Sequence, residues 1–132
     1  MKNYLLDSDT LIYFLNGKKQ VIERLSQTPI NYLHTSRINY TELLYGAYNS
    51  TKVTDNKAKI LPFLERFKML EFDQSAADIF AKLKANLKKK GSIIADLDLM
   101  IASIAIANDC ILVSNNTKHF ERIAPLKLES WA

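Results

Sequence analysis

The chain has 132 residues, of which 48% are hydrophobic and 24% charged, and these values are ordinary for one soluble globular domain. We therefore expect a single domain over residues 1–132, with no membrane span and no signal peptide, in the cytoplasm. The lone Cys110 excludes an internal disulfide. The formal net charge of +4 permits a polyanionic partner such as nucleic acid.

The first half of the chain alternates short apolar runs with helical patterns. We predict, in order, a strand at residues 3–6, helices at 10–15 and 20–25, a strand at 32–35, and a helix that is capped by Ser36 and ends at Tyr48. Asp7 follows the first strand directly. A residue at such a strand–helix junction lies where open parallel sheets bind their ligands.

The second half continues the alternation. We predict a helix capped by Asp55, a strand at 69–72, a long helix capped by Asp73 or Ser75, a helix capped by Asp96, a strand at 110–114, a helical turn at 118–122 and a strand at 126–128. Strands that alternate with helices predict an α/β fold of three layers, in which helices flank a central parallel sheet.

The helix that begins at Asp96 is unusual because two acids open a segment that is otherwise apolar. The run from Leu99 to Ala107 contains almost no polar residue, and such a helix is normally buried. The helix dipole favours a carboxylate in the first turn, and a role as N-cap would account for Asp96. Asp98 is harder to explain structurally, because a charge next to a buried helix is costly without compensation.

Other acids stand at predicted strand ends and helix starts. The full set is Asp7, Asp9, Glu42, Asp96 and Asp98, with Asn116 following a strand. In a parallel sheet several of them meet at one edge, and clustered carboxylates repel one another unless a divalent cation lies between them. Oxygen ligands favour Mg²⁺ or Mn²⁺ over Zn²⁺. A site of this kind typically performs phosphoryl chemistry, which makes RNA or DNA the expected substrate.

Five blocks of sequence resemble a known family when they are taken in order. They are LLDSDTLI at 5–12, YTELLYG at 40–46, DLMIA at 98–102, LVSNNTKHF at 112–120 and LKLESW at 126–131. Together they resemble the PIN-domain ribonucleases and, more narrowly, the VapC-type toxins of type II toxin–antitoxin pairs. The resemblance covers the whole chain and implies a PIN-like fold.

The resemblance also implies roles for particular residues. Asp7, Glu42 and Asp98 match the metal-binding acids of the family, and Asp96 matches an extra acid that holds a second ion or a bound water. Asn116 stands where many PIN domains have a fourth aspartate, so one anionic ligand is missing at that position. With Ser114, it is expected to support the site by holding water.

The activity that the resemblance implies is Mg²⁺- or Mn²⁺-dependent endonucleolytic cleavage of RNA, often a structured RNA such as tRNA. It further implies a homodimer, and inhibition by a VapB-like antitoxin whose peptide fills the active-site groove. We assign Asp9 to the first turn of its helix rather than to the metal site. The run Lys88–Lys90 is expected to be a solvated helix end, with contact to phosphates as the alternative.

Two other functions compete with this hypothesis. The segment from Asp7 to Thr10 also resembles the opening motif of haloacid-dehalogenase-type phosphatases, in which the first aspartate is a nucleophile. No acidic pair follows Val113, however, and the chain is short for that fold. The second alternative is a non-catalytic interaction or RNA-binding module in which the acids serve as helix caps.

Overall fold

The computed structural model describes residues 2–132. Its strands are β1 (Asn3–Leu6), β2 (Leu33–Ser36), β3 (Lys68–Leu70), β4 (Cys110–Val113) and β5 (Lys127–Glu129). Its α-helices are α1 (Ser8–Leu15), α2 (Lys19–Gln27), α3 (Arg37–Tyr48), α4 (Val53–Leu64), α5 (Gln74–Lys89), α6 (Asp96–Ala107) and α7 (Thr117–Phe120), and a 3₁₀ turn covers Ile30–Tyr32. Among these residues, no helix is both long enough and apolar enough to cross a membrane.

The strands form one sheet in the order β3-β2-β1-β4-β5, and all neighbouring strands are parallel. Successive side chains of a strand point to opposite faces, so each central strand supplies both sides of the sheet. Leu5 and Leu112 pack into the core on the side of α5 and α6. Leu6 and Val113 pack into the second core, with residues of α1, α2 and α4. The three-layer α/β prediction is confirmed.

The strand order makes β1 the topological switch point of the sheet. From β1 the chain builds outward on one side through β2 and β3, and on the other through β4 and β5. The carboxyl ends of β1 and β4 are adjacent, as the backbone hydrogen bond of 2.9 Å from Asp7 N to the Val113 carbonyl shows. In open parallel sheets, ligands bind in the crevice at such a switch point.

Helix α6 is the most buried helical support of this edge. Leu99, Ile101 and Ile104 are almost completely buried in it, and it packs against the long helix α5. The prediction of an interior helix is therefore correct for most of its length. Its first turn is different, because Leu97 is 49% exposed and leaves the helix start open to solvent.

Two predicted helix caps are wrong. Ala95, not Asp96, is the N-cap of α6, because the non-helical backbone (ψ 138°) that precedes the helix falls at Ala95 and Asp96 is already helical. Lys52 precedes α4, which places Asp55 inside its first turn. The caps Ser36 and Asp73 are confirmed, since each accepts a backbone N–H bond at its helix start. The other predicted elements are present with ends that differ by a few residues.

Candidate active site

Asp7 is held in place by three hydrogen bonds at the end of β1. It is the N-cap of α1 and only 7% exposed. Its Oδ1 accepts from Ser8 N at 2.8 Å and from the Asn39 amide Nδ2 at 2.9 Å, while Oδ2 accepts from the Ser114 hydroxyl at 2.7 Å. Donors from α1, α3 and the β4 end thus fix the direction of this carboxylate.

The charge of Asp7 is unfavourable in this position despite those donors. Burial is the main reason that its pKa is raised to about 6 from an ordinary value of 3.8, and the negative charges of Asp9 and Glu42 add to the effect. The Ser114 and Ser8 hydrogen bonds oppose it. A buried carboxylate beside like charges is the kind of group that a nearby cation stabilises.

Glu42 faces the same region from the second turn of α3. Its Oε1 accepts a short bond of 2.6 Å from the Ser8 hydroxyl. Burial raises the pKa of Glu42, the Ser8 bond lowers it, and the charges of Asp98 and Asp9 raise it further. Glu42 therefore lies within electrostatic range of acids from two other helices.

Asp98 lies in the first turn of α6, with its side chain 23% exposed. Its Oδ2 is 3.6 Å from His119 Nδ1, a contact that becomes an ion pair when the histidine is protonated. The same His119 nitrogen is 3.0 Å from the amide Nδ2 of Asn116. The loop after β4 is thus connected to the start of α6 through His119.

Ser114 lies beside Asp7, and Asn116 adjoins Ser114 through its backbone N–H. Ser114 is fully buried, and its hydroxyl donates to Asp7 while accepting from Asn116 N at 3.0 Å. Asp96 is placed differently. Its side chain is 61% exposed and paired with Lys84 at 2.9 Å, and no bond or ion pair within residues 2–132 joins it to Asp7, Glu42 or Asp98.

Sequence reasoning missed Asn39, a buried polar residue that organises the acids. Asn39 is completely buried, and its amide donates to Asp7 and also to the Ser8 hydroxyl at 3.0 Å, while its Oδ1 accepts from Ser36 at 2.6 Å. A signal was available, because Asn39 precedes the buried Leu43 by one helical turn and so occupies the buried face of α3. A polar residue on such a face needs a buried partner.

The acids come together without forming a finished metal site. Within residues 2–132, no three Asp, Glu, His or Cys side chains are arranged as a ready-made metal-binding group. Three carboxylates from the β1–α1 junction, α3 and α6 nevertheless face one region at the sheet edge, where the charge of Glu42 raises the pKa of Asp7 and the charge of Asp98 raises the pKa of Glu42. Such an arrangement suits a divalent cation with oxygen ligands and a phosphate-bearing substrate.

Comparisons with known proteins define the class of this fold and site. The family model described as "PIN domain" matches residues 4–126, which is most of the chain. Ribonuclease VapC2 of Haemophilus influenzae is 38% identical over 132 residues and the match covers 99% of each chain. The tRNA(fMet)-specific endonuclease VapC of Salmonella typhimurium is 31% identical over 131 residues, again with 99% of each covered.

The solved structures that this chain resembles include proteins of the same kind. A chain in the crystal structure of DNA-bound VapBC from Salmonella typhimurium superimposes with a TM-score of 0.93 at 32% identity, and the match covers 100% of both chains. The chain belongs to the PIN-domain family and, within it, to the VapC ribonucleases, the toxins of VapBC pairs. This confirms the resemblance found in the sequence and does not favour the phosphatase and non-catalytic alternatives.

The raised pKa of Asp7 predicts how stability depends on pH in metal-free protein. Between about pH 4 and 6 the folded state binds more protons than the unfolded state, so the free energy of unfolding falls as pH rises through this window. Asp7→Asn removes the penalty and should stabilise the protein at pH 7 by on the order of 1–3 kcal/mol. Urea unfolding in a chelator at pH 4.5 and 7 measures both effects.

The matched control is Asp78→Asn, which changes an exposed acid paired with Lys82 on α5. This substitution should alter the free energy of unfolding by no more than roughly 0.5 kcal/mol at either pH. An Asp7→Asn protein that is no more stable than wild type at pH 7 would show that burial does not penalise the Asp7 charge.

Proposed function

We propose that this VapC ribonuclease is a Mg²⁺- or Mn²⁺-dependent endoribonuclease in which Asp7, Glu42 and Asp98 hold the ion. The observation that carries the proposal is the electrostatic coupling of three acids that are distant in sequence. The charge of Glu42 raises the pKa of Asp7, and the charge of Asp98 raises the pKa of Glu42. Placing these like charges together opposes folding, and a divalent cation between them reverses the effect.

The residues present fit such an ion. All three side chains offer carboxylate oxygens, the ligands that Mg²⁺ and Mn²⁺ take, and no thiolate competes, since Cys110 is buried in a core. Asp7 is fixed by its donors, whereas Glu42 is held by a single hydroxyl bond. Asp7 is therefore the most firmly held of the proposed ligands, and the Glu42 side chain is less constrained.

The chain's own contribution to the reaction is positioning. When bound, a divalent ion lowers the pKa of water and neutralises charge on a scissile phosphate. Asn39 and Ser114 hold Asp7 in one orientation, and Ser8 holds Glu42. Asp98 is carried by a buried and therefore rigid helix, so its carboxylate is presented at a fixed place on the sheet edge. The side-chain amide of Asn116 can hold water at this edge, whereas the Ser114 hydroxyl is already bonded to Asp7 and to Asn116 N.

The central test is cleavage of total RNA in the presence of Mg²⁺ or Mn²⁺. Asp7→Asn, Glu42→Gln and Asp98→Asn should each reduce cleavage by roughly 100-fold or more, because each removes one anionic ligand and keeps the side-chain shape. Chelation should abolish wild-type cleavage. The exposed Asp78→Asn control should cleave like wild type. Equal cleavage by wild type and the folded site variants would sink the assignment.

We propose a structured RNA, and tRNA in particular, as the substrate class. The support is the similarity over nearly the full length to a relative named a tRNA(fMet)-specific endonuclease. Purified initiator tRNA, an elongator tRNA and an unstructured RNA of equal length should be compared in one assay. Cleavage of tRNA at a single position, with the unstructured RNA intact, is expected. Preferential cleavage of the unstructured RNA would reject the substrate class.

We propose a VapB-like antitoxin as the protein partner, since the solved structures that the chain resembles include VapBC complexes. An apolar cavity of about 680 Å³ adjoins Glu42, and Ile12, Tyr45 and Leu97 around it are 45%, 67% and 49% exposed. A peptide seated there would cover these side chains and block access to the acids. The resemblance also implies a homodimer of this 15.1 kDa chain.

Light scattering on the purified chain, alone and with a VapB-like antitoxin, tests both partners. We expect twice the chain mass for the toxin alone. The Ile12→Lys protein should no longer form the antitoxin complex, because a charge in the groove opposes apolar docking. It should still cleave RNA. Ile22→Lys, on the exposed side of α2 and outside this groove, is the control. Antitoxin inhibition that survives Ile12→Lys would contradict the docking site, and a monomeric toxin would contradict the dimer.

A further inference from the structure

Asp9 is turned toward the end of β4. It is the second residue of α1, and its Oδ2 accepts from the backbone N–H of Asn115 at 2.9 Å. The same oxygen is 3.4 Å from the Ser114 hydroxyl, which also donates to Asp7. The carboxylates of Asp7 and Asp9 therefore both lie next to one buried hydroxyl.

The charge of Asp9 acts on the other acids. It is the largest charge effect on the pKa of Asp7 and is also one of the causes that raise the pKa of Glu42. Within residues 2–132, no Lys, Arg or His forms an ion pair with Asp9, whereas Asp96 has Lys84 and Asp98 has His119. A role as a helix-dipole acid explains why Asp9 occurs in a first turn, but not why it lies beside two other uncompensated acids.

The loop that follows β4 brings only neutral side chains to this side of the site. Ser114 and Asn116 contribute a hydroxyl and an amide, and Asn116 N donates to the same Ser114 hydroxyl that Asp7 and Asp9 approach. The negative charge on this side of the site therefore comes from Asp9 of α1 and not from the loop. Asn116 also contacts His119 through its side-chain amide, and His119 lies 3.6 Å from Asp98, so an acid at position 116 would add charge to the same group of residues.

We propose that Asp9 is the fourth carboxylate of the divalent-cation site and provides, from α1, the negative charge that the loop after β4 lacks. The proposal rests on the metal-dependent function given above. The number of charged ligands is a main determinant of divalent-ion affinity, so a fourth acid strengthens binding beyond what Asp7, Glu42 and Asp98 provide. The hydrogen bond from Asn115 N keeps this carboxylate directed toward the site.

Mn²⁺ titration of the full chain, followed by the shift in Tm and by the electron paramagnetic resonance of free Mn²⁺, measures this affinity without an activity assay. Asp9→Asn should weaken Mn²⁺ binding by roughly 10-fold or more. The substituted amide keeps an oxygen that can accept from Asn115 N, so the loop contact survives. Asp78→Asn, which removes an exposed acid on α5, should bind Mn²⁺ like wild type.

A second variant tests whether Asp9 acts through its negative charge or by anchoring the loop after β4. Adding Asn116→Asp to Asp9→Asn returns one negative charge from the loop after β4, and we expect it to restore most of the Mn²⁺ affinity. Unchanged affinity in Asp9→Asn would overturn the proposal while leaving the proposed function intact. A loss that Asn116→Asp fails to restore, with a lower Tm in metal-free protein, would show a loop anchor instead. A wild-type chain that does not bind Mn²⁺ would refute both.

Discussion

The structure of this edge depends on one buried carboxylate. Asp7 is placed beyond the end of the central strand, where β1 passes between β2 and β4, and it receives donors from three separate parts of the chain. Those donors lower the cost of burying its charge but do not remove it, and its pKa remains raised to about 6. Much of the polar architecture around it, including Asn39 and Ser114, is arranged to hold this one side chain.

The two hydrophobic cores explain why such a site can persist. Each central strand contributes leucine or valine side chains to both faces, so β1 and β4 are fixed from two sides. Helix α6 is buried along most of its length and carries Asp98 on its open first turn. A site built on these elements is rigid where its residues attach, and the mutual repulsion of its acids is opposed by the apolar burial of the surrounding core.

Asp96 and Asp98 show how neighbouring acids acquire different roles. Both lie in the first turn of α6, where the helix dipole favours a negative charge. Because residues two apart in a helix point in different directions, Asp96 turns outward to Lys84 while Asp98 faces Glu42 and His119. The sequence indicated that the two aspartates are not equivalent, but it described Asp96 as a cap, whereas the N-cap of α6 is Ala95.

The sequence by itself determined the alternation of strands and helices, the buried character of α6 and the position of Asp7 after a strand, because these follow from local hydrophobic periodicity and cap chemistry. The resemblance to VapC toxins added the family. Only the tertiary structure decided which polar groups meet. The contacts of Asn39 with Asp7 and of Asp9 with Asn115 join elements far apart in the chain. Local patterns carry no information about such pairs, because strand order and helix packing create them.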